Sequence, residues 1–170
     1  MSIKFVKERL FKANGIQLAA KEWGDPSGMP VIALHGWLDN ANSFDQMLPY
    51  LTDMHVIAID MAGHSQSGDR SEDSGYDIWQ DIGDVLAVSE QMNWDRFALL
   101  GHSRGAIVSA LVAGTFPKLV SHCILIDSYF PIPNKPANAA GQLAKAITDR
   151  KRFQTIKPSA FNSFDDAVKA

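Results

Sequence analysis

The eight residues Leu99-Leu100-Gly101-His102-Ser103-Arg104-Gly105-Ala106 constrain this chain more than any other stretch. They fit G-x-S-x-G, preceded by an apolar run from Phe97 to Leu100 and followed by apolar residues at helical spacing, Ala106, Ile107, Ala110, Leu111 and Ala113. That context predicts a strand, a sharp turn and a helix. A turn so tight presses backbone against backbone, so a Cβ two positions before or after the serine would clash, and glycine stands at both. Ser103 is left at a helix N-terminus, where peptide N–H groups and the positive end of the dipole can stabilise negative charge developing on a bound molecule.

The rest of the composition narrows the partner. In 170 residues, 46% of them hydrophobic, there is enough apolar material for one globular unit with a real core. The net charge of −3 is made of scattered charges of both signs, with no basic face for nucleic acid and no polybasic run for anionic lipid. A small molecule is the expected partner. Cys123 is the single cysteine, which excludes a disulfide within the chain and a zinc cluster; in the apolar run His122–Ile126 it reads as a small buried hydrophobe. The N-terminus mixes Lys4, Lys7, Glu8 and Arg9 with apolar residues and lacks the core of a signal peptide, and no later run reaches the length of a membrane span. A cytoplasmic location is the expectation.

In chain order, Ile3–Phe11 and Ile16–Trp23 read as strands of an N-terminal hairpin around the Asn14-Gly15 turn. Val31–Leu34, Val56–Ile59, Phe97–Leu100 and Cys123–Ile126 are short apolar runs suited to strands buried on both faces. Between them, Phe44, Met47, Leu48 and Leu51 predict a short helix capped by Asn42 or Ser43, and Ile78, Ile82, Val85, Leu86, Ser89 and Met92 predict a longer one. Asp69–Gly75 reads as an exposed, mobile polar segment. Trp79 and Trp94 read as packing residues. Beyond Tyr129, Pro131, Pro133 and Pro136 break the chain; Leu143, Ala146, Ile147 and Arg150 suggest a helix, Phe153–Ser163 reads as irregular, and Phe164–Val168 hints at another helix.

Strands alternating with helices in this way predict a mostly parallel, doubly wound sheet, with ligands bound beyond the carboxyl ends of its strands. His35, Asp60, Ser103 and Asp127 all leave from that edge.

His35-Gly36-Trp37, the loop Asp60-Met61-Ala62-Gly63-His64-Ser65-Gln66-Ser67, Gly101-His102-Ser103-Arg104-Gly105 and the strand ending in Asp127 resemble, in this order, the first half of an α/β-hydrolase. His35-Gly36-Trp37-Leu38-Asp39-Asn40-Ala41 with Ser43-Phe44 resembles the serine hydrolase-like branch. The resemblance covers about Gly15 to Tyr129 and is specific for fold but weak for substrate. It implies an α/β-hydrolase core over residues 1–130, with its N-terminal hairpin, and the start of a helical cap over 131–170, cut short there.

It also implies a cofactor-free, metal-free acyl transfer in which Ser103 is the nucleophile and the N–H groups of Trp37 and Arg104 form an oxyanion hole. His35, Gly36, Leu38 and His102 border the binding crevice by the same resemblance, with His35 and His102 read as structural braces. Asp60 is read as tying down backbone N–H groups in its loop. Arg104 is either a holder of an anionic substrate group or an ordinary solvated or core-capping arginine.

A serine needs a base, and the order in this superfamily is Ser, acid, His. His122 is the only histidine after Ser103, and it begins its strand where Ser103 ends a neighbouring one, so it cannot be that base. Asp127 is a candidate acid, set against a plain turn residue. The expectation is therefore a fragment of a serine hydrolase acting on carboxylic esters or related acyl substrates, nearly inactive at 170 residues, whose open sheet edge favours self-association. The alternative is a non-catalytic protein that binds a small acyl or aromatic molecule in the same crevice. A dehalogenase or epoxide hydrolase would carry Asp where Ser103 stands.

Overall fold

The computed structural model describes residues 6–71, 73–128, 135–155, 163 and 166. The chain forms two compact units, Met1–Pro131 and Ile132–Ala170. In the first, six strands make one sheet: β1 (Val6–Ala13), β2 (Ile16–Gly24), β3 (Met29–Leu34), β4 (Met54–Ile59), β5 (Phe97–His102) and β6 (Val120–Ile126), in the order β1-β2-β4-β3-β5-β6. The hairpin β1–β2 and the β2–β4 pair are antiparallel, whereas β4, β3, β5 and β6 run parallel. The hairpin turns at Asn14 and Gly15, both with positive φ, as an Asn-Gly turn requires.

Alternation along the strands divides the core between two faces. Ile32, Leu34, Ile57, Ile59 and Leu99 point to the side covered by α1 (Ile78–Gln91) and α2 (Arg104–Thr115), where Val85, Val88, Val108 and Val112 meet them. Val31, Ala33, Val56, Ala58, Ala98 and Leu100 face the other way and pack under Phe44 and Leu48. Each fully buried Leu, Ile or Val stabilises by about 1.5–3 kcal/mol relative to exposure. The sheet is thereby a rigid platform for the loops at its carboxyl edge.

Three expectations need correction. The segment from Ala41 to Tyr50 is two short 3-10 turns, Ala41–Phe44 and Leu48–Tyr50, rather than one helix. Asn40, ahead of both predicted caps, takes the Asn42 N–H on its side-chain oxygen, and Pro49 removes a donor from the continuation. Cys123 is exposed, because β6 has no outer neighbour and an uncovered face among the described residues. Within the polar stretch expected to be exposed and mobile, Arg70 is anchored instead: its N–H donates to the Tyr76 hydroxyl at 3.0 Å, and its side chain is buried against Asp84.

The second unit is described through α3 (Ala139–Thr155), which follows a 3-10 turn at Pro136–Asn138. It runs past Phe153, where irregular chain was expected, and it carries a Lys145–Asp149 ion pair one turn apart. The helix expected at Phe164–Val168 lies outside the described residues but for Asp166. Among the described residues, no helix is long and apolar enough to cross a membrane.

Candidate active site

Ser103 sits between β5 and α2 with φ 49° and ψ −110°, a conformation that costs a non-glycine residue about 1–3 kcal/mol. The glycines beside it explain how the turn closes. A Cβ at Gly101 would lie 2.4 Å from the Gly105 carbonyl oxygen, and one at Gly105 would lie 2.1 Å from that of Leu34, in the adjoining strand β3. The Ser103 N–H donates to the Ile126 carbonyl at 2.9 Å and the Gly105 N–H to that of His35 at 3.1 Å, so the corner is pinned to β6 on one side and to the end of β3 on the other.

β3 and β5 are neighbours although β4 separates them in sequence, which makes the carboxyl end of β3 the point where the winding reverses direction. The loop beginning His35-Gly36-Trp37 leaves from there. A Cβ on Gly36 would come 3.0 Å from His102 Nδ1 and 3.4 Å from Ser103 Cβ, so glycine is what allows this loop to lie against the serine. Among the described residues, no protein acceptor takes the N–H of Trp37 or of Arg104.

The histidines divide by burial and partners. His35 is fully buried; its Nδ1–H donates to the Gly36 carbonyl at 2.7 Å and its Nε2 accepts the Met61 N–H at 2.9 Å. Burial pushes its pKa down, favouring the neutral ring that this bonding pattern needs. It is a brace inside the protein and does not face the crevice as a binding residue would. His64 accepts the Leu38 N–H on Nε2 at 3.3 Å and its Nδ1 pairs with the Ala62 carbonyl at 3.0 Å, holding Leu38 in its positive-φ conformation. His102 is half-buried beside Gly36. His122 is exposed in the amino-terminal half of β6, four positions before Ile126.

Asp60 behaves as a loop tie: its two oxygens accept the N–H groups of Ala41 at 2.7 Å and Gln66 at 3.3 Å. Asp127 follows Ile126 directly, exposed and with φ 60°, at the level where the Ile126 carbonyl holds Ser103. Among the described residues its carboxylate makes no hydrogen bond to a histidine. Asp39 also lies near the loop; burial would raise its pKa, but the Ser43 hydroxyl and the Asn40 N–H outweigh that and lower it.

What the residue pattern did not reveal is a buried ion cluster beside the corner. Arg104 donates to Asp81 at 2.5 Å, Arg70 donates to Asp84 at 2.5 Å and lies 3.7 Å from Asp81, and Asn14 donates to Asp84 at 2.7 Å. The signal was available, since Asp81 falls on the same helical stripe as Ile78, Val85 and Val88. Of the two tryptophans, Trp94 is half-buried and packs edge-on against His55, while Trp79 is 69% exposed and so is not a packing residue.

A family model for the alpha/beta hydrolase fold matches residues 29–166. A serine hydrolase-like protein of Homo sapiens is 41% identical over 112 residues, covering 65% of this chain and 55% of that protein. One from Dictyostelium discoideum is 36% identical over 153 residues, covering 88% and 42%. The crystal structure of a hypothetical protein from Pseudomonas aeruginosa PAO1 superposes with a TM-score of 0.91 at 41% identity, over 97% of this chain and 58% of that one. With the fold and the serine corner described above, the chain belongs to the α/β-hydrolase superfamily, in its serine hydrolase-like branch. It spans about half the length of these curated relatives.

Proposed function

We propose that this chain carries the nucleophile and oxyanion half of a serine hydrolase that cleaves carboxylic esters or related acyl compounds. Ser103 Oγ attacks the acyl carbon as a general base takes its proton, the N–H groups of Trp37 and Arg104 hold the oxyanion, and the base returns that proton to the departing alcohol, leaving an acyl-enzyme that water then opens. The observation that carries this reading is the left-handed backbone of Ser103 between a buried strand and a helix N-terminus. Strain of that kind serves to present a hydroxyl at the mouth of a site. Two preorganised donors can lower such a barrier by several kcal/mol, with about 10²–10³ in rate for each donor. Beside the serine, Trp37 and Leu38 are 58% and 79% exposed, apolar surface that suits an acyl chain.

The base is the part of this machinery that the described residues do not supply. His35 and His64 are spent on the backbone, His55 pairs with Glu22, and none of the described histidines bonds to Ser103 Oγ. Asp127 is the proposed acid, a reading supported by its position directly after Ile126, whose carbonyl accepts the Ser103 N–H.

A fluorophosphonate probe tests the proposal. A form of the gene product that includes a base is expected to be labelled on Ser103, as read by peptide mass, and to turn over short-chain nitrophenyl esters, and its Ser103→Ala variant to do neither. No labelling and no turnover in any form, with tight stoichiometric ligand binding that Ser103→Ala leaves unchanged, would establish the non-catalytic binding protein instead.

A further inference from the structure

Arg104 stands at the first position of α2, where a positive side chain opposes the helix dipole and an acidic one would be favoured. It is nonetheless fixed from three sides. Its Nη2 donates to Asp81 Oδ2 at 2.5 Å and to the Tyr76 carbonyl at 3.3 Å, and its guanidinium carbon lies 5.4 Å from the centre of the Trp37 ring. Asp81 belongs to the first turn of α1 and is 6% exposed, with Arg70 on its other oxygen and Asp84 holding Arg70.

A pair this buried adds little net stability over an apolar pair of the same shape, because desolvating both ions consumes most of their attraction. Its geometric consequence is larger. Among the described residues the other ring contact of the Trp37 indole is His64, edge-on at 5.6 Å, while the guanidinium carbon lies over the indole face within cation–π range. One side chain thus joins the residue after Ser103 to the residue after Gly36.

We propose that the Asp81–Arg104 pair is a positioning device: Asp81, fixed on α1, orients the guanidinium, and the guanidinium holds the Trp37 segment in register with the Arg104 amide. The inference rests on the reading of Ser103 given above, since these two amides are its oxyanion donors. Neither side chain is assigned a catalytic role; both act through the backbone of residues 37 and 104.

The test follows the Trp37 indole N–H resonance, assigned with Trp37→Phe, in the full-length protein and in its Arg104→Leu, Arg104→Lys and Asp81→Asn variants, alongside kcat, KM and Tm. The Trp37 resonance is expected to move in Arg104→Leu and Asp81→Asn, with kcat on a nitrophenyl ester falling about tenfold to a hundredfold and KM changing by less than about twofold. Arg104→Lys keeps a charge for Asp81 but loses the planar face, and recovers kcat only in part. A lowered Tm with kcat per folded molecule unchanged would make the pair merely structural and overturn the proposal. An unmoved Trp37 resonance in Arg104→Leu overturns it as well, whether or not esters are cleaved. Wild-type protein that no fluorophosphonate labels sinks the acyl-transfer reading instead, and with it the catalytic part of this inference, while the resonance still reports on the clamp.

Discussion

Gly105 and Gly114 lie on the same helix and should respond oppositely to one added methyl group. At Gly105 the new Cβ would meet the Leu34 carbonyl oxygen at 2.1 Å, a backbone atom of a central strand that cannot swing aside, whereas at Gly114 nothing lies within 4 Å. Gly105→Ala is therefore expected to destabilise by about 3 kcal/mol or more, and Gly114→Ala to stabilise by about 0.4–1 kcal/mol through the unfolded chain. Urea denaturation of the two variants checks both signs. His35 gives a pH dependence. Burial lowers its folded-state pKa below the 6.5 of a free imidazole, so the unfolded chain takes up the proton first. The stability that the neutral ring confers is complete above pH 6.5 and is lost as the pH falls through that value towards the folded pKa. His35→Ala should cost about 1–3 kcal/mol at neutral pH by leaving the Met61 N–H unpaired, and should remove that part of the acid slope when unfolding is measured across a pH series. At this scale the sequence was informative where one residue type has one steric use, as at Gly101 and Gly105, whereas the close approach that requires Gly36 shows only in the structure. It was uninformative where burial depends on a distant neighbour. Trp79 and Cys123 read as interior residues because size and apolarity are intrinsic, but which face of a helix or strand is covered is not.

Among the elements, α1 holds more than its apolar stripe. Asp81 and Asp84 point inward with Val85 and Val88, and Arg70 reaches in from the preceding loop to neutralise them. Removing the cation leaves the buried Asp84 carboxylate with the neutral Asn14 amide as its remaining partner, while Asp81 keeps Arg104. Arg70→Met is thus expected to cost about 3–5 kcal/mol, and Arg70→Met with Asp84→Leu less than that single change, a non-additivity that a double-mutant cycle by chemical denaturation would measure. If the two changes simply add, the pair is not coupled and the loop is held by other means, such as the bond from the Arg70 N–H to the Tyr76 hydroxyl. The strands and both long helices of the first unit were legible, because periods of two and of 3.6 survive in the apolar pattern. The anchoring of Arg70 was not, since composition marks Asp69–Gly75 as polar but says nothing of a partner on a later helix. The Ala41–Tyr50 segment failed for a related reason: Phe44 and Leu48 have helical spacing and are buried as expected, yet Pro49 and the cap at Asn40 divide the segment into two turns.

In the whole molecule, the two ends of the sheet differ in how they meet solvent. At one end β1 presents Lys7, Glu8 and Lys12 exposed, charges of the kind that discourage a further strand from pairing. At the other end β6 has no outer partner among the described residues, and its exposed side chains are His122, Cys123, Ile124 and Ile126, with Ile124 51% exposed. An open backbone edge beside apolar side chains is a template for another strand, and hydrophobic burial adds to the hydrogen bonds that such pairing would make. The polypeptide of 170 residues is therefore expected to self-associate through β6. Sedimentation velocity across the micromolar range, under reducing conditions so that Cys123 cannot link two copies, should show a sedimentation coefficient that rises with concentration. Ile124→Lys should hold the protein monomeric, because a lysine on the edge must be desolvated for pairing to proceed, whereas Leu10→Lys on β1 should leave the association as it was. A wild-type chain that stays monomeric throughout that range would mean that the β6 edge is already satisfied, and Leu10→Lys abolishing association would move the contact to the opposite end of the sheet.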